Sequence, residues 1–203
     1  MFRFFKNIFN AIILVLVFAG INSLYNAHVF DNFLENCSNF FKEKSAQTIQ
    51  RVGDFSHINT EFSVDTGVNL FGYRAVLAEH RASGQRMIIL DSGHKQLLTR
   101  EDLKGEGIEQ KLGDLSKKFK YQSSNVSDIH ITNRGSMYAY GRQLPYVRFT
   151  ASVTKLPINK ISGIIAVYDD NPQEQRLLLS VNEKDRYSQL ITNEFYRAVR
   201  ESN

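Results

Sequence analysis

The chain has 203 residues, 42% hydrophobic and 23% charged, which fits one folded domain plus an extra segment and excludes both a disordered chain and a polytopic membrane protein. Its net charge of +4 comes from 25 basic and 21 acidic residues spread along the chain, without the patch or stripe that nucleic-acid binders carry. The densest basic run, Lys111, Lys117, Lys118 and Lys120, reads as the solvated face of a helix, so no nucleic-acid partner is expected.

No Lys, Arg, Asp or Glu stands between Lys6 and Asp31, and the stretch Ile8–Tyr25 is almost wholly apolar. That is close to the roughly 20 residues an α-helix needs to cross the hydrocarbon core. A cleaved signal would end in small residues at alternate positions, but bulky Tyr25 and Phe18 occupy those places before Ala27 and Gly20. The favoured reading is a retained transmembrane anchor over 1–27. Arg3 and Lys6 precede the apolar run, while Asp31 and Glu35 follow it. The positive-inside rule then puts the amino terminus in the cytoplasm and the rest of a single-pass cell-membrane protein in a periplasmic or extracellular space.

An amphipathic helical extension is predicted over 28–52. Val29, Phe30, Phe33, Leu34, Cys37, Phe40 and Phe41 recur at helical intervals and form one apolar stripe. Such a stripe lies on its own domain or in lipid headgroups, or else offers Phe30, Phe33, Phe40 and Phe41 to a partner helix. Cys37 is the single cysteine, so no intramolecular disulfide is available and the thiol reads as a small packed hydrophobe.

From Gly53 the pattern changes to short apolar runs bounded by turn residues, marking a folded domain over 53–203. "YRAVLAEH" and "RMIILD", joined by "RASGQ", read as a β-hairpin at about 72–91. Thr99 and Asp102 cap a predicted helix that carries Ile108, Leu112, Leu115 and Phe119 on one face, its first turn loosened by Gly105 and Gly107. "DIHIT" is a short strand. "YVRFTASVT" alternates strictly, with Val147, Phe149, Ala151 and Val153 toward the core. "SGIIAVYD" is apolar on both faces and central, and "EQRLLLSVN" pairs with it through "DNPQ". Asn182 and Asp185 look like the start of a final helix whose stripe is Tyr187, Leu190, Ile191, Phe195, Ala198 and Val199. The expected class is α+β: an amino-terminal transmembrane helix followed by a domain with a mainly antiparallel sheet.

From about Leu70 to Val199 the order of elements, with "YVRFTASV", "SGIIAVYD", "RLLLSVN" and the "ITNEFYRAVR" helix, resembles the PsbP-like family. The resemblance implies an α/β/α sandwich and a binding or assembly role without a shared catalytic site. It carries over no functional residue.

Chemistry-bearing residues form no recognised constellation. Asp91, Ser92 and His94 are adjacent in "LDSGHKQ", where neighbouring side chains point to opposite faces and do not converge as a triad does. His28, His57, His80, His94 and His130 show no zinc-type spacing, so no metal or cofactor is expected. "SMYAYGRQLPYVRF" gathers Tyr138, Tyr140, Arg142, Tyr146 and Arg148, residue types enriched at recognition surfaces. The functional expectation is a membrane-tethered, non-catalytic module that binds a protein partner or an apolar or peptide ligand. The alternative is a membrane-anchored hydrolase whose site is assembled from distant residues.

Overall fold

In the computed structural model, residues 45–70, 73–93, 96–118, 126–153, 160–171 and 174–202 are described. The predicted anchor over 1–27 and the stripe of Phe30, Phe33, Phe40 and Phe41 lie outside them. Seven strands form one sheet: β1 (Phe62–Leu70), β2 (Tyr73–His80), β3 (Arg86–Gly93), β4 (Val126–Ala139), β5 (Arg142–Val153), β6 (Lys160–Asn171) and β7 (Glu174–Glu183). Their order is β1-β2-β3-β7-β6-β5-β4, and every neighbouring pair is antiparallel.

Among the described residues the helical segments are α1 over 45–52, α2 (Arg100–Lys104), α3 (Ile108–Lys118) and α4 (Gln189–Ala198), with a 3₁₀ turn at Lys184–Arg186. These observations correct the expected fold class of a transmembrane helix followed by an α/β/α sandwich. The described residues form a sheet-dominated, antiparallel fold with few helices, and no helix among them is long and apolar enough to cross a membrane. Two sequence features explain the difference. "DIHIT" is the start of a 14-residue strand that runs on to Ala139, so residues read as loop belong to the sheet. The helix capped by Thr99 and Asp102 stops after five residues at Gly105, and a second helix starts at Ile108.

Strand alternation sorts the side chains onto two faces. On one, Val76, Ala78, Met87, Ile89, Ala166 and Leu178 form the main core, closed by Val52 after α1 residue Ile49 and by Phe195, Tyr196 and Val199 at α4. On the other, Val147 and Val167 meet Leu103, Ile108 and Leu112 of α2 and α3. The alternation read in "YVRFTASV" is present, with Val147, Phe149, Ala151 and Val153 all buried. β6 is apolar and buried on both faces, as a central strand requires.

α1 reaches the sheet over Gly67 of β1. The Gly67 N–H donates to Ser45 Oγ at 2.8 Å, and a Cβ at this position would lie 2.5 Å from the Ser45 carbonyl oxygen. A glycine is therefore what lets the helix backbone come this close. At the other end, α4 is held by a buried amide. Gln85 Nε2 lies 2.8 Å from Thr192 Oγ1, 2.9 Å from the Ser188 carbonyl and 3.0 Å from Ser180 Oγ, while its Oε1 accepts from the Ser188 N–H at 2.8 Å.

Candidate functional site

β4 and β5 meet in a two-residue turn, Tyr140-Gly141, with φ of 53° and 72°. Both residues are left-handed, the geometry of a type I′ hairpin turn, which glycine supplies without strain and tyrosine adopts only when something holds it. Three contacts hold Tyr140. Its hydroxyl donates to the Val52 carbonyl at 3.0 Å, its N–H donates to the Val199 carbonyl at 3.2 Å, and its ring centroid lies 5.0 Å from that of Tyr168. The tip of the hairpin is thus fastened to the ends of both α1 and α4.

Beneath Tyr140 a row of charged groups crosses the sheet. Arg74 of β2, Asp91 of β3, Arg176 of β7 and Tyr168 of β6 are successive partners across three strand pairs, on the face covered by α1 and α4. Asp91 is fully buried and pairs with Arg74 at 2.7 Å. The Arg176 guanidinium carbon lies 4.7 Å from the Tyr140 ring centroid and 5.4 Å from that of Tyr168, so both rings present their negative faces to a buried cation. Tyr168 in turn donates its hydroxyl to the Glu201 carboxylate.

Burial governs the acidity of the tyrosines here. It raises the Tyr140 hydroxyl above its ordinary range and pushes Tyr168 up to about 12, with the Glu201 carboxylate adding to the effect. Tyr187 reaches about 12 by burial, and Tyr196 is raised well above the ordinary value. Hydroxyls this weakly acidic stay neutral near pH 7. They hold structure and are poorly matched to general-base work, which needs a pKa near the working pH. The sign for stability follows from linkage: unfolded tyrosines release their protons near pH 10, whereas these retain them in the fold. Their contribution is complete below about pH 10 and is lost as pH climbs through about 12. Denaturant-measured stability should therefore fall across that window, less steeply in Tyr168→Phe than in the wild-type chain.

The five sequence-predicted binding residues are divided by this geometry. Tyr138 is 52% exposed and pairs across the hairpin with exposed Gln143, whose Nε2 donates to Ser136 Oγ at 2.6 Å, while Arg142, the partner of buried Ala139, is exposed on the other face of the tip. Tyr140 is buried. Farther along β5, Tyr146 packs against the main core, and the Arg148 guanidinium lies 5.0 Å over the Tyr187 ring. Sequence reasoning missed Arg176 and Tyr168. An arginine opening the apolar run "RLLLSV" was the available signal.

Other candidates have structural work. Asp91 turns to Arg74, whereas the Ser92 hydroxyl donates to the Gln175 carbonyl at 3.2 Å; His94 lies outside the described residues. His130 is exposed on β4. His80 Nδ1 is 2.9 Å from Ser83 Oγ, and its Nε2 is 3.7 Å from a Glu61 carboxylate oxygen. Ser83 also donates its N–H to the same ring nitrogen and accepts from the Gln85 N–H, so these bonds close the β2–β3 turn. Lys111 of the basic run is paired with Asp102 at 2.5 Å. No group of three or more His, Cys, Asp or Glu among the described residues is placed to hold a metal. No protein-family model matches the chain, and a search of curated proteins finds no match.

Proposed function

We propose that this protein is a membrane-tethered, non-catalytic binding or assembly module acting outside the cytoplasm, and that the β4–β5 hairpin tip is its recognition element. The observation that carries the reading is the fastening of Tyr140. With its ring and backbone fixed to α1, α4 and the Arg176 row, the tip presents Tyr138 and Gln143 on one face and Arg142 on the other, around a turn already ordered before any partner arrives. Pre-ordered loops lose less entropy on binding, and tyrosine and arginine are the residue types that most often dominate interface energetics.

A protein partner or an apolar or peptide ligand suits this surface. The apolar run Ile8–Tyr25 supplies the tether, and its basic flank the orientation. The PsbP-like resemblance points toward the same class of role.

The test is native mass spectrometry of the full-length chain released gently from its own membranes. A companion protein or ligand should accompany the wild-type chain and be lost from Tyr138→Ala/Arg142→Ala, with the thermal midpoint unchanged. An unaccompanied wild-type chain contradicts the proposal. A hydrolase is favoured by one observation, the His80–Ser83–Glu61 grouping. Covalent labelling of Ser83 by a fluorophosphonate would establish that second reading.

A further inference from the structure

β4 is an edge of the sheet, and its two halves differ. The first half is closed. Its register with β5 shifts between Ser127 and His130 and again between Ile131 and Asn133, and Asp128 takes a φ of 49°. The Ile131 N–H donates to a Glu109 carboxylate oxygen of α3 at 2.6 Å, and the Arg134 N–H donates to Asn133 Oδ1 at 2.8 Å. Bulges and capped donors of this kind keep other strands off an edge.

The second half, from Gly135 to Ala139, is open. Ala139 and Arg142 flank the two-residue turn, so they exchange both hydrogen bonds of a narrow pair, and bonded and non-bonded pairs alternate from there. Gly135 and Met137 therefore bond to β5, whereas Ser136 and Tyr138 turn their N–H and C=O groups away from it. Pro145 fits this pattern, since it stands opposite Ser136, where β4 needs no donor. Among the described residues, no hydrogen bond reaches those outward groups. The stretch also holds no Lys, Glu or Pro, the usual defences of an exposed edge, and Tyr138 beside it is 52% exposed.

We propose that a second copy of this chain occupies the open edge, the two β4 strands pairing antiparallel about a twofold axis at Met137. This rests on the reading of the hairpin tip as a recognition element, and it names the partner. Length and symmetry both select a copy. A longer foreign strand would run from Gly135 into the bulged, capped half, whereas the copy's own open stretch ends at its Tyr140-Gly141 turn. The axis sets Ser136 of each copy opposite Tyr138 of the other, so every outward N–H meets an outward C=O and none is left over. It also brings the two exposed Tyr138 side chains onto one face as diagonal neighbours, within reach of each other. The two sheets are then continuous across the axis.

Sedimentation velocity of the full-length chain in detergent, over a range of protein concentrations, tests this. A dimer is expected. Ser136→Pro deletes one outward N–H at a position where proline leaves the β5 ladder intact, and it should raise the dimer dissociation constant at least tenfold. Ser136→Ala keeps that N–H and should leave the constant unchanged. Should Ser136→Pro lower the thermal midpoint, Tyr138→Lys decides instead, because it changes only an exposed side chain and sets two like charges beside the axis. A monomer at every concentration, or a dimer that neither variant weakens, overturns the proposal. A monomeric chain that still carries a different companion, lost in Tyr138→Ala/Arg142→Ala, overturns the second copy and keeps the reading of the tip; a monomer without any companion overturns both.

Discussion

Asp91→Ala should cost the fold about 3–5 kcal/mol, read as a lower urea midpoint at unchanged slope. Asp91 is fully buried between Arg74, which pairs with it at 2.7 Å, and Arg176, its partner across the β3–β7 ladder. Removing the carboxylate leaves two guanidinium groups on the strands either side of β3 without the anion between them, and Arg176 is too deeply buried to recover its hydration. The tyrosine rings soften this loss, since a cation over an aromatic face gains only about 0.5–2 kcal/mol. Replacing Arg74, Asp91 and Arg176 together by Met, Leu and Met should recover much of the stability, because removing a whole buried ion network avoids the stranded charge. A triple variant as unstable as Asp91→Ala would refute this electrostatic account of the row.

Tyr196→Ala should lose about 3–5 kcal/mol, the range for deleting a large buried ring. Tyr196 is fully buried at α4, its ring 5.1 Å from that of Phe195. Its hydroxyl lies 2.6 Å from the Leu179 carbonyl on β7 and 3.1 Å from the Ile88 carbonyl on β3. Tyr196→Phe keeps the ring and removes that one donor, so about 1 kcal/mol is expected. Equal losses from the two variants would mean that the hydroxyl, and not the packing, fastens the helix. Both are measured by equilibrium denaturation of the folded chain.

Where the sequence was legible, the determinants were local. The turn "RASGQ" closes β2 onto β3, with Gly84 at φ 68°, and Thr99 with Asp102 forms a reciprocal capping box at α2. The final helix shows how a local motif misleads. Asn182 and Asp185 have capping spacing, yet Asn182 lies within β7, and its side-chain amide donates to the Ser83 and Arg186 carbonyls. The chain then makes a 3₁₀ turn, and Ser188 caps the helix instead. That later start rotates the helix, leaving Leu190 79% exposed and burying Thr192, whose hydroxyl is satisfied by Ser180 and the Ser188 carbonyl.

The candidate site was legible only in part, because its core depends on register between distant strands. Tyr138 and Arg142 stood out by residue type. Nothing near Tyr140 indicated that its ring would fold inward over Arg176, since that requires β6 and β7 to place Tyr168 and Arg176 opposite each other. By contrast, the divergence of Asp91 and Ser92 followed from strand alternation alone: the strand sends one to Arg74 and the other to Gln175.

The central claim is that the fastened hairpin tip meets a partner. Hydrogen exchange on the full-length protein, with and without the companion that leaves the membrane with it, tests this most directly. The account predicts slowed exchange concentrated at 134–143, with the β2–β3 turn unchanged. Protection centred on His80 and Ser83, with the hairpin tip unaltered, would contradict it.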